Sequence, residues 1–189
     1  MQASYNPHVS RKSRRAAQFY LSFSASSTTV PGLGAVQDED VLFYDAGTWS
    51  VYFDGTARGL TAANQDLDAI SIVGGTLYFS TLGNTNPPGV AGVADDADIY
   101  SWNGTVFVRV WDAAANGLAA AANVDGFVRV DTTHFYLSFS ADSTVPALGA
   151  VQDEDVVYSN NGVWSVYFDG TAHGLGSSDY LDLDAFDLP

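Results

Sequence analysis

The sequence predicts an all-β protein made of three four-stranded β-repeats, and three observations carry that prediction. First, the wording recurs. VQDEDVLFYDAGTWSVYFDG at 36–55 returns as VQDEDVVYSNNGVWSVYFDG at 151–170, with a looser copy, ADDADIYSWNGTVFVRVWDA, at 94–113. A spacing of about 57 residues is the mark of a repeat architecture. Second, short runs rich in aromatic and β-branched residues are separated by Gly, Asn and Asp, the residues that turn a chain. Third, no segment of about ten residues or more holds a clean helical period. The Ala-rich AAANGLAAAAN at 113–123 is broken by Gly117, which disfavours a helix.

The elements follow in order. Residues 1–17 form a basic arm, MQASYNPHVSRKSRRAA, with no periodicity. Residues 18–189 form a single β-repeat domain, divided into repeats 18–75, 76–133 and 134–189. Each repeat opens with a strand (YLSFS at 20–24 and 136–140, LYFS at 77–80). A long loop follows and then a hairpin, turning at Asp45-Ala46-Gly47, Asn103-Gly104 or Asn160-Asn161-Gly162. Asn-Gly suits such a turn because both central positions need positive φ. The hairpin strands (WSVYF, VFVRVW) are apolar on both faces, so the sequence places them in the buried middle of a stacked, propeller-like blade. A last strand (LDAISI, VDGFVRV, LDAFDL) closes the repeat. A β-trefoil is the alternative, since it too has three repeats of four strands.

The ends of the array do not match. The first repeat begins on YLSFS with no last strand before it, and the chain finishes on LDLDAFDLP, a last strand with nothing after it. This is a circularly permuted array, in which the C-terminal strand is expected to complete the first repeat. Three blades are fewer than the about 4–8 of a closed propeller. Two chains would therefore build one ring, or each chain's final strand would complete the next chain's first blade. Head-to-tail contact gives a ring or a filament.

The formal net charge is −15, and it is unevenly placed. Four of the seven basic residues, Arg11, Lys12, Arg14 and Arg15, lie in the arm, which has no acid. The acidic remainder argues against nucleic acid as a partner and favours cations or a basic segment. The arm is accordingly expected to dock on an acidic neighbour. No cysteine is present, which removes thiolate metal sites and thiol nucleophiles. No apolar run approaches the length of a membrane span.

Carboxylates recur by position: Asp38, Asp96 and Asp153; Asp40, Asp98 and Asp155; Asp68, Asp125 and Asp184. Clustered Asp in loops suits a hard cation such as Ca²⁺, and these nine are the candidate ligands. Capping and turn formation are the competing use of the same residues. Asp54-Gly55 and Asp169-Gly170 read as turns. His8, His134 and His173 form no metal set. No nucleophile elbow or phosphate loop is present. Acids repeated in every unit look architectural, so the sequence does not point to an enzyme. Trp49 and Trp164 share one repeat position and read as core. Trp102, beside an Asn-Gly turn, is the candidate for stacking on a glycan, and Asn103-Gly104-Thr105 is a glycosylation sequon.

The repeat wording YLSFS … TVPGLGAVQDEDV … WSVYFDGTAHGL … LDLDAF resembles the tandem β-repeats of bacterial secreted or surface proteins. The resemblance covers residues 18–189 and implies an extracellular or cell-surface β-architecture with no attached activity. The expectation is a non-enzymatic structural protein that self-assembles by strand completion, stabilised by Ca²⁺. A carbohydrate-binding adhesion module is the alternative.

Overall fold

The computed structural model describes residues 17–175 and 183–188. The basic arm with Arg11, Lys12, Arg14 and Arg15 lies outside the described residues. The chain is all-β, and its helical elements are single 3₁₀ turns.

Three antiparallel sheets follow one another. The first has three strands: β1 (Gln18–Leu21), then β4 (Val41–Asp45), then β5 (Thr48–Phe53). Between β1 and β4 the chain folds a two-stranded hairpin, β2 (Thr28–Val30) with β3 (Gly34–Val36). The second sheet has four strands in sequence order: β6 (Leu67–Val73), β7 (Thr76–Thr81), β8 (Ile99–Trp102) and β9 (Phe107–Trp111). The third sheet runs β10 (Val124–Arg129), β11 (His134–Phe139), β14 (Val156–Asn160) and β15 (Val163–Phe168). Its side hairpin pairs β12 (Ser143–Val145) with β13 (Gly149–Val151).

A sheet is therefore not a repeat. The last strand of one repeat pairs with the first strand of the next, β6 with β7 and β10 with β11. Among the described residues the first sheet lacks that innermost strand. Residues 183–188 carry no strand assignment, so among the described residues the expected completion of the first repeat is not made. The β-trefoil alternative falls, because its strands would close one barrel and these stay in separate sheets.

Two local expectations are corrected. The long loops of the first and third repeats hold hairpins that were read as irregular. Their turns at Pro31-Gly32 and Pro146-Ala147 put residue 32 or 147 at φ 84° or 63°. The hairpin strands β5, β9 and β15 are outer edges, not the buried middle of a blade. Val108 and Val110 of β9 are exposed, as is Val106 just before it, and so are Val163 and Val166 of β15. Alternation was hidden because the outward positions also carry valine, which suits a strand on either face.

Packing lies between successive sheets. One buried cluster joins the first and second through Val41, Phe53, Leu60, Leu67, Phe79 and Phe107. A larger one joins the second and third through Ala97, Ile99, Leu118, Leu137, Val145 and Trp164. Val30, Val36 and Leu42 form only a small cluster on the first sheet. Among the described residues, no buried cluster contains residues of both the first and the third sheets.

Candidate functional site

The recurrent carboxylates fall into two groups once placed. Asp40, Asp98 and Asp155 are staples. Each accepts a backbone N–H from the residue three before it: Gln37 at 2.9 Å, Asp95 at 3.1 Å and Gln152 at 3.0 Å. Each also accepts one from the residue just past the outer strand: Gly55 at 3.0 Å, Ala113 at 2.9 Å and Gly170 at 2.9 Å. All three side chains are buried. They tie the entry of the hairpin to its exit, so the DxD motif is a fastening. Asp54, Asp112 and Asp169 cap the 3₁₀ turns by accepting the N–H of Ala57, Ala115 and Ala172, each at 2.8 Å. The turn reading of Asp54 and Asp169 stands.

One compact set of three carboxylates occurs among the described residues: Asp95, Asp98 and Asp112. Of these only Asp98 belongs to the sequence-predicted ligands. Arg109 lies in their midst, with Nε 3.2 Å from Asp98 and Nη1 3.1 Å from Asp112. The set thus has its own cation. Burial pushes the Asp98 carboxyl up, opposed by its backbone N–H partners and by Arg109. Burial likewise pushes the Tyr100 hydroxyl up. That hydroxyl meets Asp98 Oδ2 at 3.3 Å and Asn86 Oδ1 at 3.0 Å, and Arg109 Nη2 donates to the same Asn86 oxygen at 2.6 Å. The first and third repeats have Leu42 and Val51, and Val157 and Val166, in place of Tyr100 and Arg109. The second repeat also lacks the side hairpin. Its polar network holds the 82–94 loop where the other repeats use apolar hairpin contacts.

Of the other sequence-predicted ligands, Asp68, Asp125 and Asp184 line a cavity of about 1070 Å³. Asp96 lies near Asp68, and together with Asp184 and Asp66 it adds to the burial that pushes the Asp68 carboxyl up. Asp68 Oδ2, Asp96 Oδ1 and Asn123 Oδ1 are shut off from solvent without a hydrogen-bond partner. Asp38 is buried beside Asp66; burial raises the Asp66 carboxyl, and the Asp38 charge raises it further. Asp153 offers its backbone carbonyl to Leu183 N at 3.4 Å.

The cavity is walled by Gln18–Ser22 of the first sheet, by β6 and β10, and by residues 184–187. Here the edge of β1 that is unpaired among the described residues faces the same cavity as the C-terminal segment. Phe19 is 43% exposed, whereas its counterparts Leu77 and Phe135 are 1% and 5% exposed. The difference is the missing innermost strand. The sequence marked the two ends of the array but did not reveal that they share this cavity.

Trp102 is not a bare platform. The Arg58 guanidinium lies over its ring, 5.3 Å from the centroid, and Phe107 and Phe53 pack on it at 4.5 and 6.1 Å. It fills the junction between the first two sheets. Trp164 is core, as expected, and Trp49 is half-buried. His134 is held by Asp131 at 2.8 Å, and His173 stacks on Phe168 at 4.9 Å. No helix among the described residues is long and apolar enough to cross a membrane.

No protein-family model and no curated protein matches this sequence.

Proposed function

We propose that this is a non-enzymatic structural protein, acting outside the cell, that self-assembles head to tail by strand completion. The observation that carries the reading is the three-stranded first sheet, whose free edge opens on the cavity that residues 184–187 also line. A free edge with exposed aromatic side chains is a template for another strand. The carboxylates support the same reading, since those placed most regularly are spent on fastening backbone. The basic arm adds a second contact to an acidic neighbour. Particle size read by light scattering and electron microscopy tests this. Deleting 183–189 should leave monomers, and deleting 1–17 should weaken assembly. Undiminished polymers after both deletions would sink the proposal.

Calcium is the cation that fits the junction carboxylates, because it takes oxygen ligands from side chains and carbonyls in irregular geometry. The solvent-free oxygens of Asp68, Asp96 and Asn123 favour it. Calcium should raise the melting temperature by binding only the folded state. A melting temperature unmoved by calcium or chelator rejects a structural ion.

A further inference from the structure

We infer that residues 183–188 of a second copy add to β1 as the missing innermost strand, in one fixed register with Phe186 opposite Leu21. The inference rests on the self-assembly reading and specifies its interface. Two complete sheets supply the template. Ile70 pairs with Phe79 and Phe127 with Leu137, each at the same step of the repeat. Ser71 pairs with Tyr78 and Val128 with Tyr136 one step on. The matching residues at the open sheet are Phe186 with Leu21, and Asp187 with Tyr20.

The segment is already presented as an innermost strand. Ser80 Oγ donates to the Val124 carbonyl at 2.8 Å, and at the next junction Ser138 Oγ donates to the Leu183 carbonyl at 3.3 Å. Leu67 N donates to the Asp38 carbonyl at 3.2 Å, and Leu183 N repeats this with Asp153 at 3.4 Å. The Phe186 ring lies against Gly126, where a side-chain carbon would stand 2.7 Å from it. Leu183 thus leaves the third sheet as Val124 leaves the second, and what should receive it is a first strand.

The flanking faces agree. At the first junction Gly59 sits against Pro88, whose ring would be 3.0 Å from an added carbon, and at the second Gly117 sits against Pro146 at 3.1 Å. Their counterparts are Gly174, with no described residue within 4 Å of an added carbon, and Pro31, which is exposed. Leu60 and Leu118 are buried at the two made junctions, whereas Leu175 is only half-buried. The third sheet ends in one half of a junction and the first sheet begins with the other half. Among the described residues of one chain no buried cluster joins them. A second copy supplies both halves at once, as a heterologous interface that repeats.

Cysteine pairing tests the register, since the chain has no cysteine of its own. Facing residues of an antiparallel pair lie about 4.5–5.5 Å apart at Cα, within disulfide reach. Tyr20→Cys and Asp187→Cys chains, mixed and oxidised, should give an interchain disulfide between those two positions, read by mass spectrometry. The Phe19→Asp variant should weaken assembly roughly tenfold or more, because it buries a charge at the new edge. It should leave the monomer folded, since Phe19 is solvent-exposed there. Polymers that form without the mixed disulfide overturn the register and leave self-assembly standing. A disulfide formed only within one doubly substituted chain overturns both. Monomers at every concentration, with the unsubstituted protein, overturn the self-assembly reading.

Discussion

At the scale of single residues, the same side-chain type does different work according to its neighbours. Asp155 is buried and accepts two backbone N–H groups, from Gln152 and Gly170. Asp131 is exposed; the Thr133 N–H and the His134 side chain bring its carboxyl down to about 2. Asp68 is pushed the other way by burial and by neighbouring carboxylates. The staple is the most consequential of these. Asp155→Ala leaves two backbone donors without their acceptor, each worth about 1–3 kcal/mol, so a loss of about 2–4 kcal/mol is expected in urea unfolding. Asp169→Ala, which removes an exposed turn cap, should cost only about 1 kcal/mol.

At the scale of the element, the second repeat differs from its neighbours in a coordinated way. Glu39, Gly55 and Thr56 in the first repeat match Glu154, Gly170 and Thr171 in the third, but Ala97, Ala113 and Ala114 in the second. Geometry explains the exchange. A side-chain carbon added to Gly55 would run into both Cγ and the backbone carbonyl oxygen of Glu39, and one on Gly170 into the same two atoms of Glu154. The Glu side chain in turn takes a hydrogen bond from the Thr hydroxyl, Thr56 to Glu39 and Thr171 to Glu154. In the second repeat the Glu side chain is absent, and Ala97 and Ala113 are both fully buried. Gly55→Ala alone should therefore cost about 1–3 kcal/mol through overpacking. Adding Glu39→Ala removes the Cγ contact but leaves the residue-39 carbonyl oxygen in place, so it should recover only part of that loss, to the extent that the backbone settles into the arrangement of the second repeat. A double-mutant cycle of unfolding free energies measures the coupling, and strict additivity would refute it.

Arg109 illustrates the same exchange of one element's solution for another. In the first and third repeats an apolar hairpin lies over Leu42 or Val157. In the second, Tyr100, Arg109 and Asn86 hold a loop that lacks this hairpin, through its carbonyls and amides. Repeat wording alone aligned these positions without showing that one repeat had traded packing for a polar network.

At the scale of the molecule, charge and burial act together on stability. Burial raises the carboxyls of Glu39, Asp66, Asp68, Asp96 and Asp98 above their ordinary range. In that window the folded state binds more protons than the unfolded state, so stability falls as pH rises through it. Relief of self-repulsion in a chain of net charge −15 acts in the same direction. Without divalent cations, the melting temperature should be higher near about pH 5 than near about pH 7. Glu154 and Asp131, whose carboxyls are lowered, cost stability only at still lower pH. A melting temperature that falls steadily from neutral to mildly acidic pH would show that the buried carboxylates do not dominate.

Much of the fold was legible because repeats and turns are local. The Asn-Gly and Ala-Gly turns, the strand runs and the lack of a helix need only neighbouring residues to specify them. The repeated DGTARGL wording is also local: an Asp cap, one 3₁₀ turn and a left-handed glycine at Gly59 or Gly174 that stops it. The sequence by itself determined the all-β class, the three units and the mismatch between their two ends. Only the tertiary structure decided which strands are edges, that Asp40, Asp98 and Asp155 fasten backbone, and that Arg109 lies in the compact acidic set of Asp95, Asp98 and Asp112. It also decided that the open edge of β1 and the segment at 184–187 face the same cavity. Those outcomes depend on which distant surfaces meet, and valine, aspartate and tryptophan read the same in sequence whether they end buried, bonded or exposed.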